Sequence, residues 1–259
     1  MTVSTMRDKE RITLRVCIAL LWLGLWQLLA MCVGRDFILS SPLQVLTHLC
    51  SLALTADFWQ TLLCSALHIL SGFAIGLVSG VFTATCSAHH RLFREIISPL
   101  CAVIRAIPVA SYVVLALFWL PSRSLSVFIS AMVTYPLIYA ATLAEIGRTD
   151  NKMLEMARLF RLPRRRRILY CHVLPALPGM AVNCSSAIGM AFKSGVAAEL
   201  ICIPGGTVGE RLYRAKVYLM NGELLAWTVA LILLSTVCSR LLAYLLRIWE
   251  GRLCRGSRI

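Results

Sequence analysis

Long runs of apolar residues, each bounded by charged or polar residues, divide the chain into six segments that can cross a membrane. A transmembrane helix needs about 20 mostly apolar residues. The six predicted spans are residues 16–33, 62–86, 96–120, 125–144, 176–203 and 224–246. The pattern predicts an all-α membrane protein: a transmembrane domain over 16–250, preceded by the segment 1–15 and followed by the basic tail 251–259.

The longest loop, 145–174, lies between the fourth and fifth spans and predicts a short amphipathic helix. Apolar residues recur with helical spacing on one face: Met153, Met156, Ala157 and Phe160. Charged residues recur at every third position on the other side: Lys152, Glu155, Arg158 and Arg161. Pro163 ends the helix because it has no N–H to donate. The helix either lies on lipid, with the arginines 164–167 at the headgroups, or docks into a groove on a soluble partner.

Composition excludes an ordinary soluble domain. The 259 residues are 59% hydrophobic and 15% charged, whereas soluble domains carry about 45–50% apolar and about 25% charged residues. The net charge of +14 is of the kind seen in nucleic-acid binding proteins, but a chain buried mostly in lipid is not expected to bind nucleic acid. The 11 cysteines form no C-x-x-C pair, so we expect neither a metal site nor a disulfide framework.

The distribution of positive charge predicts the orientation. Cytoplasmic loops of membrane proteins carry an excess of Lys and Arg. With the amino terminus inside, 18 of the 26 Lys and Arg residues fall on the cytoplasmic side and 5 on the outer side. We therefore expect both termini in the cytoplasm.

Glycine and proline have specific positions inside the spans. Gly72, Gly76 and Gly80 are spaced by four residues and line one face of the second span, which favours close packing against another helix; a gating role is the alternative. Pro108 predicts a kink of the third span near Arg105.

The fifth span is the most polar of the six. It contains Asn183, Ser185, Ser186, Lys193, Ser194 and Glu199. Charged residues at membrane depth are costly and usually face a cavity or a partner. Lys193 and Glu199 are about 240° apart on a regular helix and cannot pair with each other. Our hypothesis is that Asn183, Ser186, Lys193 and Glu199, with Arg105 of the third span, line a translocation path; the alternative is a structural role, with Lys193 snorkelling.

Two local features follow from spacing. Glu145 is expected to pair with Arg148 at i+3. The segment 203–223 predicts a glycine turn and then a short amphipathic helix that carries Arg211, Arg214 and Lys216. This segment either receives a binding protein or only returns the chain to the sixth span.

The loop also carries a family resemblance. The stretch MLEMARLFRLPRRRRILYCHVLPALPGM resembles the E-A-A loop of ABC importer permeases, E-A-A-x-x-x-G followed by I-x-L-P. Glu155, Met156 and Ala157 stand at the first three positions, and Arg161 occupies the glycine position. Leu174 and Pro175 supply the terminal L-P, one residue further on than the pattern expects.

The resemblance continues outside the loop and points to the nitrate/sulfonate/taurine-type permeases. The segments LSSPLQVL (39–46), FWQTLLCSALHILSGFAIGLVSG (58–80) and PLCAVIRAIPVAS (99–111) resemble theirs. It implies a type I importer permease in the bacterial cytoplasmic (inner) membrane, commonly a homodimer, bound to two cytoplasmic ATPase subunits. A substrate-binding protein would deliver cargo from outside. The E-A-A segment would be the coupling helix, with contacts from Lys152, Glu155, Met156, Ala157, Arg158, Phe160 and Arg161.

We do not expect this chain to have enzymatic activity of its own. It lacks the G-x-x-x-x-G-K-[ST] phosphate loop, so ATP hydrolysis would reside in a partner, and we predict no catalytic residue, cofactor or metal. The resemblance implies a small anion such as a sulfonate, taurine or nitrate, although relatives of the same family carry thiamine or riboflavin precursors. The rival interpretations are an ion-gradient-driven secondary transporter and, less well supported, a membrane-embedded enzyme.

Overall fold

The structure, a computed structural model, describes residues 3–34, 38–148, 156, 159, 160, 163 and 174–256. These residues form helices and connecting turns, and no β-strand occurs among them. The helices are α1 (Val3–Val33), α2 (Pro42–Ala53), α3 (Ala56–His89), α4 (Arg91–Ala106), α5 (Val109–Ala116), α6 (Ser122–Gly147), α7 (Leu174–Cys202), α8 (Val208–Val217) and α9 (Asn221–Gly256). The predicted all-α class is confirmed.

The predicted count of six spans is not reproduced. Four described stretches are long and apolar enough to cross a membrane: Val16–Val33, Ala56–His89, Ser122–Gly147 and Asn221–Leu246. A fifth is obtained if α4 and α5 are counted together as one span. Helix α7 has 29 residues, about 44 Å at 1.5 Å per residue, and is long enough to cross. It carries Lys193 and Glu199 and is not among these four stretches.

The third predicted span, 96–120, is a broken helix and not a kinked one. Helices α4 and α5 meet at an angle of 96°. Ile107 leaves the helical conformation, with φ −75° and ψ 132°, because a residue before proline is disfavoured in the α region. Pro108 is extended as well and precedes the first residue of α5. Two successive extended residues change the chain direction far more than the loss of one backbone hydrogen bond does.

The chain divides into two compact units. The first comprises Met1–Trp59 and Arg211–Ala230. Within it, α2 begins with a capping box: the Ser41 hydroxyl accepts from the Gln44 N–H, and the Gln44 side chain accepts from the Ser41 N–H. The rings of Phe58 and Trp227 lie 4.9 Å apart, and Arg211 donates two hydrogen bonds to the Asp57 carboxylate, at 2.6 and 2.8 Å.

The second unit comprises Gln60–Glu210 and Leu231–Ile259. Its main apolar core is formed by α3, α6 and α7, with α9 packed against it. The buried members of this core are Ile69, Phe73, Ile138, Cys184, Ala187, Ile188, Ala191 and Phe192. A smaller core joins α5 to α6 and α7 through Val113, Ala116, Leu125, Ile129 and Ala198.

The glycine face of α3 lies directly against α6. A Cβ added at Gly76 would lie 2.7 Å from the Cβ of Thr134 and 2.8 Å from the Ala131 carbonyl oxygen. A Cβ at Gly80 would lie 2.9 Å from the Tyr135 carbonyl oxygen. Gly72 faces the Val127 carbonyl in the same way. The two helices approach to backbone contact, so a side chain at these positions cannot be accommodated by rotating a neighbour.

We expect Gly76→Ala to lower the free energy of unfolding by about 1–3 kcal/mol, the usual cost of inserting a methyl group into a closely packed site. The measurement is the melting temperature of the purified protein in mild detergent. Gly24→Ala in α1 is the matched control, since nothing lies within 4 Å of a Cβ there and alanine favours a helix over glycine. Equal melting temperatures for the two variants would contradict the α3–α6 contact.

Candidate functional site

Helix α7 has one exposed face, and most of its polar path candidates lie on or beside it. The exposed residues recur with helical spacing along the helix: Val182, Ser186, Met190, Lys193, Ala197 and Leu200. Lys193 and Ser186 are seven residues apart, and two turns of a 3.6-residue helix bring them within about 20° of each other. Asn183, at the edge of this face, is half-buried. We call this set the α7 open face.

The opposite side of α7 is packed into the second unit. Ser130 of α6 donates a hydrogen bond to the Ala191 carbonyl at 3.3 Å. A Cβ at Gly195 would lie 2.6 Å from the Ser130 Oγ and 2.7 Å from Ile69. Helix α7 is therefore held closely by α3 and α6, and its open face is free of those contacts.

The polar residues of α7 differ in how their hydrogen bonds are satisfied. Asn183 donates to the Gly179 carbonyl at 2.9 Å, and Ser186 donates to the Val182 carbonyl at 3.3 Å. Both bonds stay within the helix, as the structural alternative expects. Lys193 lies on the open face and makes no ion pair with any described residue.

Glu199 lies on the other side of α7, as its separation from Lys193 predicts. Its side chain is buried, with 1% of the residue exposed. Its Oε2 accepts a hydrogen bond from the Ser65 hydroxyl of α3 at 2.7 Å and from the Gly209 N–H at 3.3 Å. The sequence did not predict Ser65 as a partner of Glu199, because the two are 134 positions apart. Ser65 roughly continues the glycine face of α3, which was the available indication that it faces another helix.

Arg105, the remaining path candidate, is exposed near the end of α4, just before the break at Ile107 and Pro108. Across that break the Tyr112 hydroxyl donates to the Ile104 carbonyl. Among the described hydrogen bonds and ion pairs, none joins Arg105 to Lys193, Glu199 or Asn183.

The helices on either side of the predicted coupling loop are joined at its base. Glu145, near the end of α6, forms an ion pair with Arg148 at 3.0 Å, which confirms the predicted i, i+3 pair. The Glu145 carboxylate also lies against Gly179 in the first turns of α7, and one of its oxygens would be 2.8 Å from a Cβ there. The end of α6 and the first turns of α7 are therefore in contact at the base of the loop.

Only part of the predicted coupling helix falls within the described residues. Lys152, Glu155, Ala157, Arg158 and Arg161 lie outside them. The Phe160 N–H donates to the Met156 carbonyl at 3.0 Å, which is one helical turn. Met156 is 57% exposed and Phe160 75% exposed. These two apolar side chains thus share one face and are not packed against the rest of the described chain.

Within the described residues, no group of three or more His, Cys, Asp or Glu side chains could hold a metal ion. The geometry is that of a helical scaffold in which the α7 open face carries Ser186 and Lys193 among apolar residues, and in which the described part of the longest loop contains an exposed apolar turn. Such an arrangement can guide a solute and take up motion from a partner.

Comparison with known protein families decides between the interpretations. Residues 72–253 match the model of the family described as binding-protein-dependent transport system inner membrane component. The chain belongs to this family. It is a permease of an ABC importer, a multi-pass inner membrane protein that acts with a binding protein and with an ATPase carried by separate subunits.

Curated relatives of the permease are transport proteins along most of its length. It is 27% identical over 229 residues to the protein of Escherichia coli (strain K12) named as the aliphatic sulfonates transport permease SsuC, covering 87% of this chain and 86% of that protein. It is 26% identical over 174 residues to the riboflavin transport system permease RibX of Chloroflexus aurantiacus, covering 67% and 64%. It is 24% identical over 168 residues to the bicarbonate transport system permease CmpB of Synechococcus elongatus, covering 63% and 58%.

Solved structures with the same fold are also ABC transporters. A bacterial ABC transporter involved in the import of the acidic polysaccharide alginate has a TM-score of 0.61 at 13% identity, covering 96% of this chain and 99% of that chain. An amino acid ABC transporter crystallised with histidines has a TM-score of 0.58 at 16% identity, covering 76% and 94%. The comparisons favour the permease over an ion-gradient-driven transporter.

Proposed function

We propose that the permease carries a small anionic solute and that the α7 open face lines its path. The observation that carries this proposal is Lys193, a charged residue on an exposed face of a membrane-length helix, without an ion-pair partner among the described residues. A charge at membrane depth is costly unless it meets water or a partner. Glu199 faces away and is bonded to Ser65, so it leaves the charge of Lys193 uncompensated, and we leave Glu199 out of the path.

The relatives support an anion as cargo. Two of those described above are named for aliphatic sulfonates and for bicarbonate, and both solutes are negatively charged. An ammonium group on the path would attract such a solute, and Ser186 would add a hydroxyl beside it. One relative is named for riboflavin transport, so membership of the family does not fix the solute. The charge of Lys193 is therefore the feature on which we base the choice of an anion.

One copy of the α7 open face cannot enclose a solute. A path has walls on all sides, and this face is uncovered in the described chain. We propose that a second copy of the permease closes the path, as a homodimer. We also propose that both termini face the cytoplasm, which the excess of Lys and Arg on that side supports.

We further propose that the loop 145–174 docks onto the ATPase through its apolar face. Met156 and Phe160 are one turn apart and largely exposed, as an amphipathic helix that fills a groove requires. Motion of the ATPase would then reach the path through α6 and α7, whose ends meet where Glu145 contacts Gly179.

Replacing Lys193 tests the path. We expect Lys193→Met to raise the KM of solute uptake about ten-fold, because a hydrogen bond to a charged group contributes about 1.5 kcal/mol or more. Uptake is measured in proteoliposomes that contain the permease, its ATPase and its binding protein. Lys193→Arg keeps the charge and is expected to keep KM within a factor of about three. An unchanged KM in Lys193→Met would exclude Lys193 from the path.

Replacing Phe160 tests the docking. We expect Phe160→Ser to lower recovery of the ATPase with the tagged permease at least ten-fold, since a central aromatic contact contributes about 2 kcal/mol at a protein interface. Leu92→Ser is the matched control: Leu92 is an apolar residue of α4 that is 77% exposed and has no assigned partner. Full recovery of the ATPase with Phe160→Ser, together with weaker binding to anionic vesicles, would favour the lipid-bound alternative.

A further inference from the structure

The buried Glu199 has a set of contacts that the transport proposal does not use. Its Oε2 accepts from the Ser65 hydroxyl at 2.7 Å and from the Gly209 N–H at 3.3 Å. The Ser65 oxygen accepts in turn from the Val208 N–H at 2.9 Å. One carboxylate and one hydroxyl therefore join α3, the end of α7 and the first turn of α8. We call these four residues the Glu199 clamp.

The clamp satisfies backbone groups that a helix start leaves unpaired. The first N–H groups of a helix have no partner within it, and negative charge is favourable there. In α8 three successive N–H groups are satisfied from outside the helix: Val208 by Ser65, Gly209 by Glu199, and Glu210 by the Thr207 hydroxyl at 3.4 Å. The first turn of α8 is thus held through its backbone, which no side-chain replacement within α8 would remove.

Close packing also holds the start of α8 against the end of α7. A Cβ at Gly209 would lie 2.7 Å from the Leu200 N and still closer to Glu199, so the start of α8 touches the backbone of α7. The turn between them contains Ile203 with φ +50°, a left-handed conformation that β-branched residues rarely adopt. Such strain persists where surrounding contacts enforce it, and here the clamp lies on both sides of the turn.

We propose that Glu199 is a positioning residue of the permease: through Ser65 it locks the first turn of α8 onto α7, so that a load applied to α8 reaches the helix carrying Lys193. This rests on the proposed function, in which α7 lines the path, and on the first of the two interpretations of the segment 203–223 given above, that it receives the binding protein. Lys193 and Glu199 then have different roles on opposite faces of α7. The face with Lys193 meets the solute, and the face with Glu199 is bonded to the segment that receives the binding protein.

The clamp is tested first by amide hydrogen exchange on the assembled complex. We expect Ser65→Ala to raise exchange of the Val208 and Gly209 amides about five-fold, the equivalent of one lost hydrogen bond. Ser71→Ala is the matched control, since Ser71 is on the same helix and its described hydrogen bond is to the His68 carbonyl of that helix. Peptides from α6 serve as the internal reference. Unchanged exchange at Val208 and Gly209, or an equal rise throughout α6, would overturn the proposal.

The second readout separates positioning from general stability. In ATPase assays with increasing binding protein, we expect Ser65→Ala to raise the half-saturating concentration of binding protein about five-fold and to leave the plateau rate within two-fold. Glu199→Gln keeps an acceptor for Ser65, so we expect its half-saturating concentration of binding protein to lie between those of wild type and Ser65→Ala. A lower plateau with an unchanged half-saturating concentration would contradict positioning. Failure of the wild-type complex to transport an anion would contradict the proposed function and leave the exchange result standing.

Discussion

A charged group inside a membrane protein must meet water, a partner or a hydrogen bond, and this constraint organises α7. The helix carries two ionisable side chains, Lys193 and Glu199, about 240° apart, and they lie in opposite environments. Glu199 is buried and bonded to Ser65 and Gly209. Lys193 stays exposed on the open face. Because one face is committed to packing and hydrogen bonding, the other is available to a solute, and the same rotation of α7 would displace both.

The packing around α7 explains how it could respond to a partner without losing its shape. Helix α3 reaches α6 through Gly72, Gly76 and Gly80, and α7 lies against both helices through a shared apolar core. Close-packed protein interiors have low compressibility and transmit strain. The contact between Glu145 and Gly179 places both ends of the loop proposed to dock onto the ATPase on the same block of helices. A push on that loop would therefore move the block together with the α7 open face.

Much of this could be predicted from the sequence because it depends on local patterns. Apolar runs predicted the long helices, and charge separation on α7 predicted that Lys193 and Glu199 would not pair. Proline predicted a disturbance near Arg105, but its size of 96° depends on Ile107 and Pro108 both being extended, which a rule for one lost hydrogen bond does not give. The partnership of Glu199 with Ser65 was out of reach because it joins residues 134 positions apart, and tertiary packing alone brings them together.

The central claim is that Lys193 faces an aqueous path, and the chain makes it directly measurable because its lysines are few: Lys9, Lys152, Lys193 and Lys216. The assembled transporter can be treated with a water-soluble acetylating reagent and each lysine quantified by peptide mass spectrometry. The account predicts that Lys193 reacts in the folded complex and that an excess of the transported anion slows its reaction while leaving Lys9 unchanged. A Lys193 that reacts only after denaturation would contradict it.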